Sequence, residues 1–520
     1  MVSSSYFNMS TKSQRATFNR RQKRSRVEQC AQQNAEQDDV QNEVQDEVQS
    51  DPNVELSVVD LPRLKRKFVS NDRNLVLQNA LCSSTLYQVA EVRDYMQSRD
   101  SEFSHTLDPE LVVSNQGLSG RCWLFALLNV MRHELVRKFK LQRDFELSEA
   151  YVCFYEKYEK CNHFLSRFLT MDNIDPTDYR TQRWLMGGCQ DGGHWITCAN
   201  LIKKYGIIPK SSYRESINSY HTGMMNDMLD YKLREFAQQM VAEPDNEKRL
   251  KMKSTMMETV YEMLCKFLGT PPNPNEKFTW SFGLYLELND QLERENKRRK
   301  TDGQFENLQI KQTLSLTPLE FYNDLIVNKL DNYMKFGNDP RNAYHKFYFG
   351  HEEDVVVEGE RPGYYNLPME EIAKLCVTSI KNNTPIEFDC DVVKYLNARD
   401  ELMDTKCFNY NLVFDTDFND LDKKRMMERL ESYPNHAMVL VGVDLDESGN
   451  PIKWKVENSW GRDEDNENST GYYTMSHDWF LKFVFNVVIQ EDFVPRALKG
   501  KYRKAFKNAT VLPENDIMSN

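Results

Sequence analysis

Cys122 constrains what this chain can fold into more than any other residue. It stands in the run Asn115-Gln116-Gly117-Leu118-Ser119-Gly120-Arg121-Cys122-Trp123, directly before an apolar stretch with Trp123, Ala126, Leu127, Val130, Met131 and Leu135 at helical spacing. That spacing predicts a helix over 123–139 buried on one face, with Arg137, Lys138 and Lys140 at the end where the dipole favours cations. A thiol at the start of such a helix sits in the positive end of the macrodipole, which favours the thiolate. Gln116, six residues upstream, carries an amide that can donate to an oxyanion forming beside that sulfur. The fold must therefore hold a Gly-containing turn against a helix N-terminus.

Most cysteines are small buried hydrophobes, so a reactive reading needs a base and a group to orient it. His436 precedes the strand-like run Ala437–Val443, and Asn458 follows a second such run, in Trp454-Lys455-Val456-Glu457-Asn458-Ser459-Trp460-Gly461. In a cysteine hydrolase the imidazole takes the thiol proton, and a side-chain amide on its other nitrogen sets tautomer and orientation. Trp460, two residues past the Asn, is placed to shield that hydrogen bond from water. The fold must then carry a β-rich half that delivers His436 to Cys122.

These three segments, in the order Cys, His, Asn, resemble the catalytic segments of papain-like cysteine peptidases. The distance from Cys122 to His436 is 314 residues (436 − 122), against roughly 130–150 in papain and the cathepsins, which implies a large insertion. With Gly120-Arg121-Cys122-Trp123-Leu124-Phe125 and Gln190-Asp191-Gly192-Gly193-His194-Trp195, the chain resembles the bleomycin hydrolase family. Asn74–Asn79, Tyr205–Lys210, Thr317–Tyr322 and Cys390-Asp391-Val392 add to the likeness, which runs from about Phe68 to about Pro513.

The resemblance implies an α+β, papain-like two-lobed cysteine peptidase with a large helical insertion. It implies Cys122 as nucleophile, His436 as base, Asn458 as its orienter and Gln116 as oxyanion donor. Gly192 and Gly193 are expected to pair with an extended substrate, and Asp191 to contact a substrate amine. It further implies aminopeptidase action on peptides with free N-termini and on bleomycin-type amides, and a homohexameric ring. The C-terminus is expected in the cleft, with Asn520 against the substrate amine, although Ser519-Asn520 replaces the family's small apolar end. Secreted relatives have a disulfide cysteine where this chain has Ser119, which points to a cytoplasmic setting.

Composition sets outer limits. An apolar content of 40% with 12% aromatics fits a soluble globular chain, and no apolar run approaches a membrane span. A net charge of −12 weighs against general nucleic-acid binding. Eleven cysteines without CxxC pairs fit scattered thiols. Cys161, His163, Cys189, His194 and Cys198 match no zinc-ligand spacing, so neither metal nor cofactor is expected.

Along the chain, residues 1–67 read as a disordered tail. A basic block before Val27 (Lys12, Arg15, Arg20, Arg21, Lys23, Arg24, Arg26) is followed by a Gln- and acid-rich stretch. That block is open to three readings: a nuclear or mitochondrial address, a nucleic-acid contact with peptidase activity secondary, or a solvated tail. Residues 68–210 read as the helical lobe with the nucleophile and 211–346 as the helical insertion, with a charged loop at Lys297–Lys300. Residues 347–495 read as the β-rich lobe, with strands near 437–443, 453–457 and 471–475, and 496–520 as a C-terminal arm.

Overall fold

The computed structural model describes residues 58–175, 177–285, 309–351, 354–418 and 422–519. The basic block before Val27, the charged Lys297–Lys300 and the terminal Asn520 lie outside them. The chain forms two compact units, divided after Asn79. In the first, Leu61–Val69 is helical, beginning inside the stretch 1–67 read from composition as a tail and running two residues past it. Leu61, Leu64 and Phe68 recur at helical spacing, Pro62 suits a helix start, and Arg66 and Lys67 suit its end.

In the second unit the helix Cys122–Phe139 is the central element. It is buried on all sides from Trp123 to Val136 apart from Glu134, not on one face as its periodicity suggests. The reason is that it lies between two layers. On one side run the helices Glu149–Arg167 and Trp195–Tyr205, and on the other the sheet strands His436–Leu445 and Ile386–Cys390.

Among the described residues that sheet has twelve strands. Its central members, in spatial order, are Tyr333–Gly337, Val484–Gln490, Ile386–Cys390, His436–Leu445, Pro451–Glu457 and Tyr472–Ser476. His436–Leu445 reads as a continuous apolar run because both its faces are covered. Ala437, Val439 and Val441 join the core around the nucleophile helix. Met438, Leu440 and Val443 join a second core with the helix Met369–Lys381. A bulge between Leu440 and Gly442 shifts the register between those sets.

The segment 211–346 has its long helices at Thr222–Ala242 and Asn246–Leu268, with short helical turns at Ile217–Tyr220, Pro318–Glu320 and Leu330–Asn332. Phe278–Tyr285 and Gln309–Leu316 then form an antiparallel pair, and Tyr333–Gly337 joins the main sheet. Phe278, Trp280 and Phe282 alternate with polar neighbours, which is strand periodicity. Trp280 stacks on Phe282 at 4.0 Å between ring centroids and meets Phe139 at the end of the nucleophile helix. Among the described residues no helix is long and apolar enough to cross a membrane.

One ionic contact ties helix to sheet. Arg132 Nη2 donates to Glu457 Oε1, and His133 Nε2 lies 3.0 Å from Glu457 Oε2, all three side chains being buried. Burial alone would raise the Glu457 carboxyl, but Arg132 and His133 hold it below its ordinary value of 4.5. A carboxyl depressed on folding adds stability above its unfolded value and loses it as pH falls through the folded value. Glu457→Gln is expected to lower unfolding free energy by roughly 3 kcal/mol, the lower end for breaking a buried ion pair. Urea melts should show that deficit at pH 7 and a smaller one toward pH 3, as the wild-type carboxyl protonates.

Candidate active site

The hairpin formed by His436–Leu445 and Pro451–Glu457 explains how two residues 22 positions apart meet. Val439 pairs with Glu457, so Asn458 falls one step beyond the strand end, level with the start of the first strand. There His436 Nε2 lies 2.9 Å from Asn458 Oδ1. An amide oxygen only accepts, so Nε2 carries the proton and Nδ1 keeps its lone pair. Asn458 is held in turn, its Oδ1 also accepting from the Ser459 backbone N–H at 2.8 Å. Trp460 covers the imidazole at 5.0 Å between centroids.

Cys122 begins its helix, where the first backbone N–H groups have no partner within the helix. The N–H groups of Ala437 and Trp123 point at its sulfur. Ala437 follows His436, which places the thiol beside the start of the histidine strand. Both residues line one cavity of about 620 Å³, together with Gly192, Gly193 and the C-terminal residues Ile517, Met518 and Ser519.

Burial dominates the electrostatics. It pushes the Cys122 thiol up to about 11, against the pull of those two N–H groups. It pushes His436 down to about 4, against the support of Asn458. Desolvation thus outweighs the pull of the helix terminus toward the thiolate, and the base that the sequence supplies in His436 is needed. Each group by itself is neutral at pH 7. A thiolate arises here by proton transfer to the imidazole, which creates two opposite charges whose attraction offsets part of their burial cost.

Gln116 is buried, and it does not line the cavity. Its backbone N–H donates to Ser459 O at 2.8 Å, and its Oε1 accepts from Ser459 Oγ at 2.6 Å. Its amide nitrogen donates to Ser119 O, which engages one of its two hydrogens. The turn before Cys122 is thus stitched to the segment after Asn458, and Asn115 bridges to Trp460 as well. Ser459 was missed in the sequence; its signal is its place between Asn458 and Trp460.

Gly192 donates its N–H to Gly120 O at 3.2 Å and accepts from Lys160 Nζ at 2.7 Å. A Cβ on Gly193 would come within 2.7 Å of the Trp123 ring, so only glycine lets the two segments meet. Asp191 lines the cavity, but its oxygens are engaged. Oδ2 accepts from Gly120 N at 2.7 Å and from Thr222 Oγ1. Oδ1 accepts from Lys157 Nζ at 2.7 Å and Asn226 Nδ2 at 2.9 Å. Although it is buried, Lys157 and these donors hold its carboxyl well below the usual range. The expected contact with a substrate amine gives way to a brace under the nucleophile turn. Thr222 and Asn226 belong to the first long helix of the insertion, which thereby supports that turn. Asn520 lies outside the described residues; Ser519 before it lies on the cavity wall.

A family model described as the Peptidase C1-like family matches residues 55–519. The chain belongs to the Peptidase C1-like family. It is 32% identical to human (Homo sapiens) bleomycin hydrolase over 445 residues, covering 83% of this chain and 92% of that one. The rat (Rattus norvegicus) bleomycin hydrolase is 31% identical over 456 residues, covering 85% and 94%. Aminopeptidase C of Lactococcus lactis subsp. cremoris is 32% identical over 438 residues, covering 83% and 92%. The crystal structure of PepW from Lactobacillus rhamnosis HN001 superimposes with a TM-score of 0.79 at 31% identity, covering 90% of this chain and 99% of that one.

Asp191 offers a direct check. As a brace, Asp191→Ala is expected to lower kcat by tenfold or more, on the order of 1.4 kcal/mol in the barrier, with KM nearly unchanged in steady-state assays of an aminoacyl amide. A rise in KM at constant kcat would instead mark it as a substrate contact.

Proposed function

We propose that this protein is a cysteine aminopeptidase that hydrolyses peptide and amide bonds at free N-termini, bleomycin-type amides included. The observation that carries the reading is a single cavity holding Cys122 and an Asn-oriented His436, walled on one side by the chain's own Ile517–Ser519. The names of the relatives, bleomycin hydrolase and aminopeptidase C, support it.

In this mechanism the Cys122 proton passes to His436 Nδ1 as sulfur attacks the carbonyl carbon. The oxyanion is met by the Cys122 backbone N–H; Gln116, set back from the cavity wall, has one amide hydrogen left with which to assist. His436 then protonates the leaving amine, and the C–N bond breaks to give a thioester. Water, deprotonated by His436, hydrolyses that thioester and restores the thiol. Gly193, for which no backbone hydrogen bond is seen among the described residues, offers its main-chain groups to an extended substrate. The terminal residues shorten the groove on one side and so favour a chain end over an internal bond. Arg341 anchors them by bridging Asp339 at 2.9 Å and Asp516 at 2.8 Å.

Cys122→Ala is expected to abolish release of aminomethylcoumarin from aminoacyl substrates without changing the thermal melt. Removal of 517–520 is expected to add cleavage of N-blocked peptides. Full activity in the alanine variant would overturn the nucleophile. Blocked peptides left intact by the truncated enzyme would overturn the restricting role of the terminus.

A further inference from the structure

The active-site cavity carries a second group of ionisable side chains that the hydrolysis above does not use. Lys335, Asp389 and Asn486 all line it, on three neighbouring strands. In the sheet Asp389 pairs with Asn486 on one side and on the other with Ala437, whose N–H meets the Cys122 sulfur. One Asp389 oxygen, Oδ2, takes both neighbouring donors, Lys335 Nζ at 2.8 Å and Asn486 Nδ2 at 3.1 Å. Two residues back on the same strand face stands Glu387, 1% exposed and set behind the cavity wall, where a protonated carboxyl shares its hydrogen with Asp389. The Asn486 oxygen, on a residue 5% exposed, has no donor.

These buried acceptors are short of hydrogens. Lys335 serves one Asp389 oxygen and leaves the Asn486 oxygen unmet. His194, also on the cavity wall, brings no charge, since burial and then the nearby Lys335 hold it down to about 4. Burial, and then the Asp389 charge, keep the Glu387 carboxyl protonated far above the usual range. A carboxylate entering here would meet Asp389, and an apolar group would leave the acceptors unpaired. A primary ammonium brings one positive charge and three N–H donors, which is what the site lacks.

We propose that Asp389, with Asn486, receives the free N-terminal ammonium of the peptide substrate and makes Asp389 a specificity-determining residue of the hydrolysis. The proposal rests on the peptidase reading of Cys122. An ammonium one Cα away from a carbonyl carbon at Cys122 is close to the Ala437 strand, and Asp389 pairs with Ala437 on the next strand. Its arrival beside Lys335 is balanced by loss of the Glu387 proton to solvent, leaving two carboxylates for two ammonium groups. The Asp389 charge also adds to burial in opposing the Cys122 thiolate. A bound ammonium offsets that opposition, whereas an N-blocked substrate does not.

The test compares kcat/KM for an aminoacyl-aminomethylcoumarin and its N-acetyl form. It uses the wild type and the charge-free variant carrying Lys335→Met, Glu387→Gln and Asp389→Asn together, which leaves no buried charge unpaired. The preference for the free amine is expected to fall by tenfold or more, on the order of one decade in affinity. A folded variant that keeps the wild-type preference overturns the ammonium site and leaves the peptidase reading intact. A wild type that cleaves neither substrate overturns the peptidase reading itself. Should the variant not fold, n-butylammonium and n-butanol are compared as inhibitors of the wild type. Competitive inhibition by the ammonium alone supports the site, and equal inhibition by both overturns it.

Discussion

The buried contact of Arg132 and His133 with Glu457 is the constraint on which the active site depends. Arg132 and His133 stand three turns into the helix that Cys122 begins, and Glu457 immediately precedes Asn458. The nucleophile and the residue that orients its base belong to different layers, 336 positions apart (458 − 122). Apolar packing between helix and sheet fixes their spacing only loosely, because volume-conserving contacts tolerate small slides. A charge-assisted fork has a geometry that a slide would break. The second tie, between Gln116 and Ser459, works closer to the chemistry and holds the turn rather than the helix.

Electrostatics inside the cavity follow from that closeness. Between helix and sheet His436 is buried and Cys122 half-buried, and this desolvation makes each prefer its neutral form. The helix terminus does not create the nucleophile; it supplies N–H groups that become useful once charge develops. The same dryness gives force to every nearby charge, including the carboxylates on the neighbouring strand. Reactivity and discrimination between substrates are then two consequences of one desolvated space.

Much of this was legible in the sequence where a local period or a specific segment carried it. The helix after Cys122, the strands after His436 and before Asn458, and the pairing of those two residues all had local signals. Long-range ties did not. Nothing near Asp191 says that its oxygens reach Gly120, Lys157, Thr222 and Asn226, and so a brace was read as a substrate contact. Arg132 and His133 interrupt an apolar helix, and Glu457 ends an apolar strand; polar residues at such positions must find partners, which was the available clue. The hairpin at Phe278–Leu316 carried its own period of two but was masked by the Lys- and Glu-rich helices before it. Near the N-terminus, composition over 1–67 hid the short apolar spacing that makes Leu61–Val69 helical.

The central claim is that the reactive thiolate arises from proton transfer to His436 and not from the helix terminus alone. The rate of Cys122 alkylation by iodoacetamide as a function of pH, in the wild type and in His436→Ala, tests it most directly. The wild type should react readily near neutral pH. Without the imidazole, reaction should appear only as pH approaches the value of the isolated buried thiol, about 11. Superimposable profiles for the two proteins would contradict the account.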